Sequence, residues 1–232
     1  MSAMQSRDVI AELKSMGNPE AAAGMARYGI KADRALGVSI PQLQGLAKKI
    51  GKNHKLAEAL WSSAVHEARI LACMIDDPQQ ITADRLERWA TEFDSWDLCD
   101  QCCNRLFSKT PFARQKALAW ARRPEEFVKR AGFVLMAVLA VHAKKAPDKQ
   151  FDPFFKCIKA GAVDERNFVK KAVNWALRQI GKRNRSLNKK AIRVAEEIRQ
   201  FESKAARWVA RDALRELRSE NVQKRLSGRA TS

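Results

Sequence analysis

Apolar residues recur at intervals of three and four along almost the whole chain, and strict apolar–polar alternation is absent. That period belongs to amphipathic α-helices rather than to strands. A single tyrosine and few β-branched runs agree with it. The spacing predicts two short helices within residues 1–36, broken at Gly17-Asn18-Pro19. Gly37-Val38-Ser39-Ile40-Pro41 reads as a turn into the next helix, with Ser39 near the cap and Pro41 in the first turn; Gly51-Lys52-Asn53 closes that helix. Further helices are expected at about 54–63, 66–76, 81–92, 95–107, 112–121, 125–143, 151–160, 164–181, 187–200 and 204–218. Asp76-Asp77-Pro78 and Arg122-Arg123-Pro124 are breaks of the expected kind. Residues 1–218 are read as one helical domain. From Ser219 the polar tail is expected to fray, with Ser227–Ser232 disordered.

The connections are short, as between antiparallel helix neighbours. Helices led by Arg69, Trp96-Asp97, Arg130, Lys171 and Arg207 recur every 30–40 residues or so, the period of HEAT-like helix pairs. Such a pair cannot bury its apolar face alone, so stacking is expected to give an all-α helical-repeat solenoid with a concave surface. If the second helix of each pair lines that surface, Arg69, Arg130, Lys171 and Arg207 form one basic trough.

Composition sharpens this picture. The 232 residues are 46% hydrophobic and 30% charged, as in a globular chain, and the formal net charge is +18. Residues 163–232 hold 19 Lys and Arg against 8 Asp and Glu, so eleven of the eighteen net charges lie there. Nucleic acid is the first partner that such an excess suggests, and an anionic membrane surface the second. Lys182-Arg183-Asn184-Arg185 is a basic loop suited to phosphate contacts, though a solubilising loop would look the same. No apolar run approaches the length of a membrane helix, and no signal-peptide core opens the chain, so a soluble, cytoplasmic monomer is expected. Five cysteines without a signal point to reduced thiols. Cys99-x-x-Cys102 has metal-like spacing, but both fall on one apolar stripe and no second pair follows, so no metal is expected.

The candidate chemistry lies in Asp94-Ser95-Trp96-Asp97-Leu98-Cys99-Asp100. On a helix capped by Asp94 or Ser95, Trp96 and Asp100 stand one turn apart on one face, opposite the stripe Leu98, Cys99, Cys102 and Leu106. Spacing alone favours the plainer reading, a core tryptophan beside a solvated carboxylate. Trp61, Trp89, Trp120 and Trp208 read as packing residues. Trp175 shares a helical face with Lys171 and Arg178, a placement suited to a sugar or base and equally to ordinary packing.

Three blocks of residues carry a resemblance. Tyr28 followed by Gly37-Val38-Ser39-Ile40-Pro41-Gln42-Leu43, Ser95-Trp96-Asp97-Leu98-Cys99-Asp100, and Phe168-Val169-Lys170-Lys171-Ala172-Val173-Asn174-Trp175-Ala176-Leu177-Arg178 are similar to blocks of the AlkD family of DNA alkylation-repair glycosylases. Lys129-Arg130 resembles that family's arginine on an intervening repeat. The resemblance implies that Asp100 is the catalytic carboxylate. It implies that Trp96 and Trp175 cradle the lesion-bearing nucleotide, that Arg130 holds the backbone near it, and that Tyr28 lies near the same cleft. Its implied reaction is excision of cationic N3- and N7-alkylated purines from duplex DNA, without a deep base pocket. Arg69, Lys171, Arg178, Lys182, Arg183, Arg185 and Arg207 are expected to contact the DNA backbone.

Elementary chemistry agrees with this reading. A cationic purine is already a good leaving group, so no strong general acid is needed. Breaking the C1′–N bond builds oxocarbenium character on the deoxyribose. A carboxylate at ~4 Å, with an effective dielectric of ~20, attracts that cation by about 4 kcal/mol, or roughly 10³ in rate. Only the part gained on reaching the transition state counts. Indole faces add ~0.5–2 kcal/mol each. No nucleotide, flavin or other cofactor is called for. A non-catalytic DNA- or RNA-binding repeat protein would share the charge without needing Asp100, and a protein-interaction scaffold would share only the repeat.

Overall fold

The structure is a computed structural model and describes residues 5–228, among which fourteen α-helices and no strand occur. The predicted helices are present, with ends shifted by no more than about three residues. The chain divides into two compact units, one ending at Thr110 and the other starting at Pro111.

Unit 1 holds α1 (Ser6–Ser15), α2 (Pro19–Met25), α3 (Ile40–Ile50), α4 (His54–Ser62), α5 (His66–Ile75), α6 (Ala83–Thr91) and α7 (Trp96–Arg105). The caps are those the sequence signals. Ser39 and Gln42 form a capping box on α3, with Pro41 in the first turn, and Gly51 ends that helix at a positive φ. Asn53 and Thr82 accept main-chain N–H bonds at the starts of α4 and α6. In the core, the indoles of Trp61 and Trp89 stack in parallel with centroids 3.9 Å apart. The Arg69 guanidinium lies over the Trp61 ring and that of Arg85 over the Trp89 ring, closing a four-layer stack.

Polar links in this unit join residues one repeat apart. Trp61 Nε1 donates to Glu92 Oε2, 31 residues on, and His66 Nε2 meets Asp97 Oδ2 at the same separation. Arg88 reaches Glu58 across 30 residues, and Glu67 accepts main-chain N–H bonds from Leu36 and Gly37, 31 and 30 residues back. A period near 31 therefore runs through unit 1.

The same period corrects the expectation of uniformly reduced thiols. Cys73 on α5 and Cys102 on α7 are 29 residues apart and joined as a disulfide. Successive repeats lay the apolar stripes of α5 and α7 against each other, which a count of cysteines could not reveal. Cys99, Cys103 and Cys157 are free and buried.

Unit 2 holds α8 (Ala113–Trp120), α9 (Glu126–His142), α10 (Asp152–Gly161), α11 (Asn167–Gly181), α12 (Arg185–Arg199), α13 (Lys204–Leu217) and α14 (Glu220–Gly228). Its period is longer. Arg130 donates to the Phe168 carbonyl, Asn174 to Asp212, Arg178 to Glu216 and Lys159 to Glu197, each across 38 residues. The stretch from Ala131 to Val138 on α9 is buried on every side, which makes α9 the central helix of the unit. Gly132 permits its close approach to α8, since a Cβ there would stand 2.4 Å from the Ala121 nitrogen. The expected fraying from Ser219 is not found over residues 220–228. Val222 and Leu226, four apart, bury one face of α14, and Gln223 donates to the Leu217 carbonyl. The last four residues, also expected to be disordered, lie outside the described ones.

Candidate functional site

The organising residues in unit 1 are His66 and Glu67, which open α5. Glu67 is buried, and its two carboxylate oxygens accept the N–H groups of Leu36 at 2.8 Å and Gly37 at 2.7 Å. Gly37 has φ +76°, and any Cβ there would strike the Asn18 carbonyl, so only glycine fits this clamp. The grip fixes the segment that follows Tyr28. His66, its neighbour, is also buried and meets Asp97 at 2.8 Å. Two adjacent side chains thus hold the N-terminal loop and the first turn of α7 to one helix.

Ser95 occupies the N-cap position of α7 without a side-chain capping bond, and Asp97 in the first turn complements the positive end of the helix dipole. Burial disfavours the charged imidazole of His66. The hydrogen bond and charge of Asp97 outweigh that, with help from Glu67 and Asp94, and raise its pKa above the ordinary value. For Asp97 burial acts upward, and the His66 bond and charge overcome it, so the carboxyl sits below its usual range.

Trp96 is half-buried, and its Nε1 donates to the Tyr28 carbonyl at 2.8 Å. The indole is therefore pinned at its edge. Tyr28 ends a 3₁₀ turn closed by Gly29 in the left-handed region, and it is 68% exposed, an unusual position for an aromatic ring. Asp100 is half-buried one turn beyond Trp96, while Leu98, Cys99, Cys102 and Leu106 are fully buried, as the stripe predicts. Unit 1 thus holds Trp96 against the main chain at Tyr28, with Asp100 one turn further along α7. His66 and Glu67 were missed by sequence reasoning. Their signal was the repeat itself, since His66 stands one 31-residue period before Asp97.

The expected backbone-binding residues divide sharply. Arg69 is 9% exposed, and its guanidinium donates to the carbonyls of Trp61 and Glu92 and to the Glu92 carboxylate. Arg130 is 6% exposed and donates to the Phe168 carbonyl at 2.6 Å. Both are internal staples between helices, so the predicted trough loses two of its four leading residues. The repeat in unit 2 couples Arg130 to Phe168 rather than to Lys171, so the two cations do not occupy matched positions. Arg178 and Lys182 both bind Glu216, whose carboxyl they hold low against the opposing effect of burial. Arg183 also serves the fold. It donates to the carbonyls of Ala140 in the last turn of α9 and of Ala143, Lys144 and Ala146 beyond it, and its guanidinium lies over Phe151.

Of the cations expected to contact DNA, Lys171, Arg185 and Arg207 face solvent. Lys171 is exposed on α11 one turn before Trp175, which is half-buried. Arg207 on α13 and Arg185 on α12 are exposed, and Arg185 reaches Ser227. Trp208 is half-buried, with the Lys170 ammonium 5.4 Å over its ring. Trp61, Trp89 and Trp120 are core, as expected.

A family model described as DNA alkylation repair enzyme matches residues 9–217. No curated protein matches. A solved structure described as "A new family of proteins related to the HEAT-like repeat DNA glycosylases with affinity for branched DNA structures" is similar over 96% of both chains, with a TM-score of 0.78 and 20% sequence identity. That likeness extends to the fold, an all-α HEAT-like repeat. No helix among the described residues is long and apolar enough to cross a membrane.

Proposed function

Because the chain belongs to the DNA alkylation repair enzyme family, we propose that it is a DNA N-glycosylase that releases cationic N3- and N7-alkylated purines from duplex DNA. One observation carries this reading. A half-buried carboxylate, Asp100, stands one turn from an indole whose edge is fixed by the Tyr28 carbonyl. Asp100 stabilises the deoxyribosyl cation as the C1′–N bond breaks, and it orients the water that adds to C1′. The electron pair of the broken bond leaves with the purine, which departs neutral because it entered as a cation. The Trp96 face meets the same positive charge. Normal bases are neutral and poor leaving groups, so the site discriminates by charge without enclosing the base.

In unit 2, Trp175 and Lys171 offer an aromatic ring and a cation for a nucleotide, while Arg185 and Arg207 supply backbone contacts. Arg69, Arg130 and Arg183 act instead on the fold.

The experiment is base release from methylated duplex DNA under single-turnover conditions. Wild type is expected to free N3-methyladenine or N7-methylguanine, and Asp100→Asn to be slower by ~10²–10³. Release by wild type that Asp100→Asn matches would remove Asp100 from the mechanism. No release by wild type, with DNA binding intact, would favour a second reading as a non-catalytic binder. That reading draws on the structurally similar protein family with affinity for branched DNA. In a pure binder, Asp100→Asn should tighten binding, since Asp100 repels phosphate.

A further inference from the structure

An arginine-lined groove lies on unit 2 between α12 and α13. It has a volume of about 620 Å³ and is lined by Arg199, Arg207, Arg211, Leu214, Arg215 and Arg218. Only Arg207 was singled out in the sequence. We propose that this groove binds the phosphodiester backbone of a DNA duplex and is a principal anchor of the protein on nucleic acid.

Arg207, Arg211 and Arg215 succeed one another at four-residue steps on α13, about 6 Å apart along the axis. Arg218 continues the same face, and Arg199 approaches from the end of α12. Opposite this face, Ala206, Val209, Ala210, Ala213 and Leu217 are buried, so the arginines cannot turn inward. Leu214 forms an apolar floor on which the arginine stems can lie with their guanidinium heads in water.

Charge compensation is partial. Arg215 pairs with Asp212 and Arg218 with Glu196. Arg199, Arg207 and Arg211 are exposed and have no carboxylate partner among the described residues. Three uncompensated guanidiniums over an open groove repel one another unless an anion enters. A planar fork of donors suits phosphate oxygens, where it can bind in bidentate fashion. A ladder of such forks one helical turn apart suits a repeating anion better than a single ion. This contrasts with Arg69, Arg130 and Arg183, whose donors are spent on internal carbonyls. The contacts are to backbone, so they give position and affinity without sequence preference.

The proposal does not depend on Asp100 or on base release. Its test compares wild type, Arg207→Gln/Arg211→Gln, and a control, Lys189→Gln/Arg193→Gln, which removes the same charge from exposed positions of α12 outside the groove. Binding of a labelled, lesion-free linear duplex is measured against salt concentration, and melting temperature is recorded for each protein. The groove variant is expected to melt as wild type does, bind at least about tenfold more weakly at low salt, and lose roughly two units of the log–log salt slope. The control is expected to lose less than one unit. An unchanged slope in the groove variant would overturn the proposal, as would equal losses in both variants. So would vesicles of anionic phospholipid being bound through the groove while duplex binding stayed intact.

Discussion

His66 Nε2 on α5 and Asp97 Oδ2 on α7 lie 2.8 Å apart, which places a partly buried ion pair immediately beside Trp96. The folded pKa of His66 is raised, so its contribution to stability is full below the ordinary histidine value near 6.5 and is lost as pH rises through the folded pKa. The folded pKa of Asp97 is depressed, so its contribution is present above the ordinary value near 4 and is lost as pH falls through the folded pKa. The pair is therefore strongest between about pH 4 and 6.5. His66→Gln is expected to lower stability by about 3 kcal/mol at pH 6, because it leaves Asp97 without its partner. The deficit should shrink at a second, alkaline pH above the folded pKa of His66, where wild type has lost the imidazolium. Urea midpoints at the two pH values check this, and an equal deficit at both would exclude a charged pair.

Trp96 is tethered by a main-chain oxygen of Tyr28, not by its phenol. Trp96→Phe keeps an aromatic face but loses the N–H donor. It is expected to cost about 1 kcal/mol of stability and to slow base release. Tyr28→Ala preserves the carbonyl, so melting should change by less than about 0.5 kcal/mol. If the exposed phenol meets DNA, the duplex Kd should nonetheless rise. Calorimetry and a duplex titration on both variants separate tether from contact.

Arg130 is expected to behave as a structural residue. Arg130→Met removes the bond to the Phe168 carbonyl across 38 residues and should destabilise the protein by about 1–3 kcal/mol. The salt slope of duplex binding should stay as in wild type. A slope reduced by about one unit would restore Arg130 to the DNA surface.

Gly132 marks where α9 comes closest to α8. Gly132→Ala would drive a methyl into the main chain at Ala121, which cannot rotate away as a side chain might. A loss of about 1–3 kcal/mol is expected, measured by thermal denaturation. An unchanged melting temperature would mean that the two helices separate freely.

The sequence by itself determined the helices as far as α13, the bounds of α3 and the repeat. These follow from local rules: apolar spacing of three and four, Ser39 and Pro41 at one helix start, Gly51 at the end. It also placed Trp96 and Asp100 on one face of α7, because four residues are about one turn whatever surrounds them. Tertiary structure alone decided which cations meet solvent. Arg69 and Arg207 look alike in sequence, yet one lies over Trp61 donating to internal carbonyls and the other lines an open groove. That choice rests on what neighbouring elements supply, for Arg69 the groups of Trp61 and Glu92, 8 and 23 residues away. For the same reason the Cys73–Cys102 bond, the His66–Asp97 pair and the burial of Val222 and Leu226 could not be read locally. Helix propensity is a property of adjacent residues, whereas the state of a charge or a thiol is set by what the next layer brings against it.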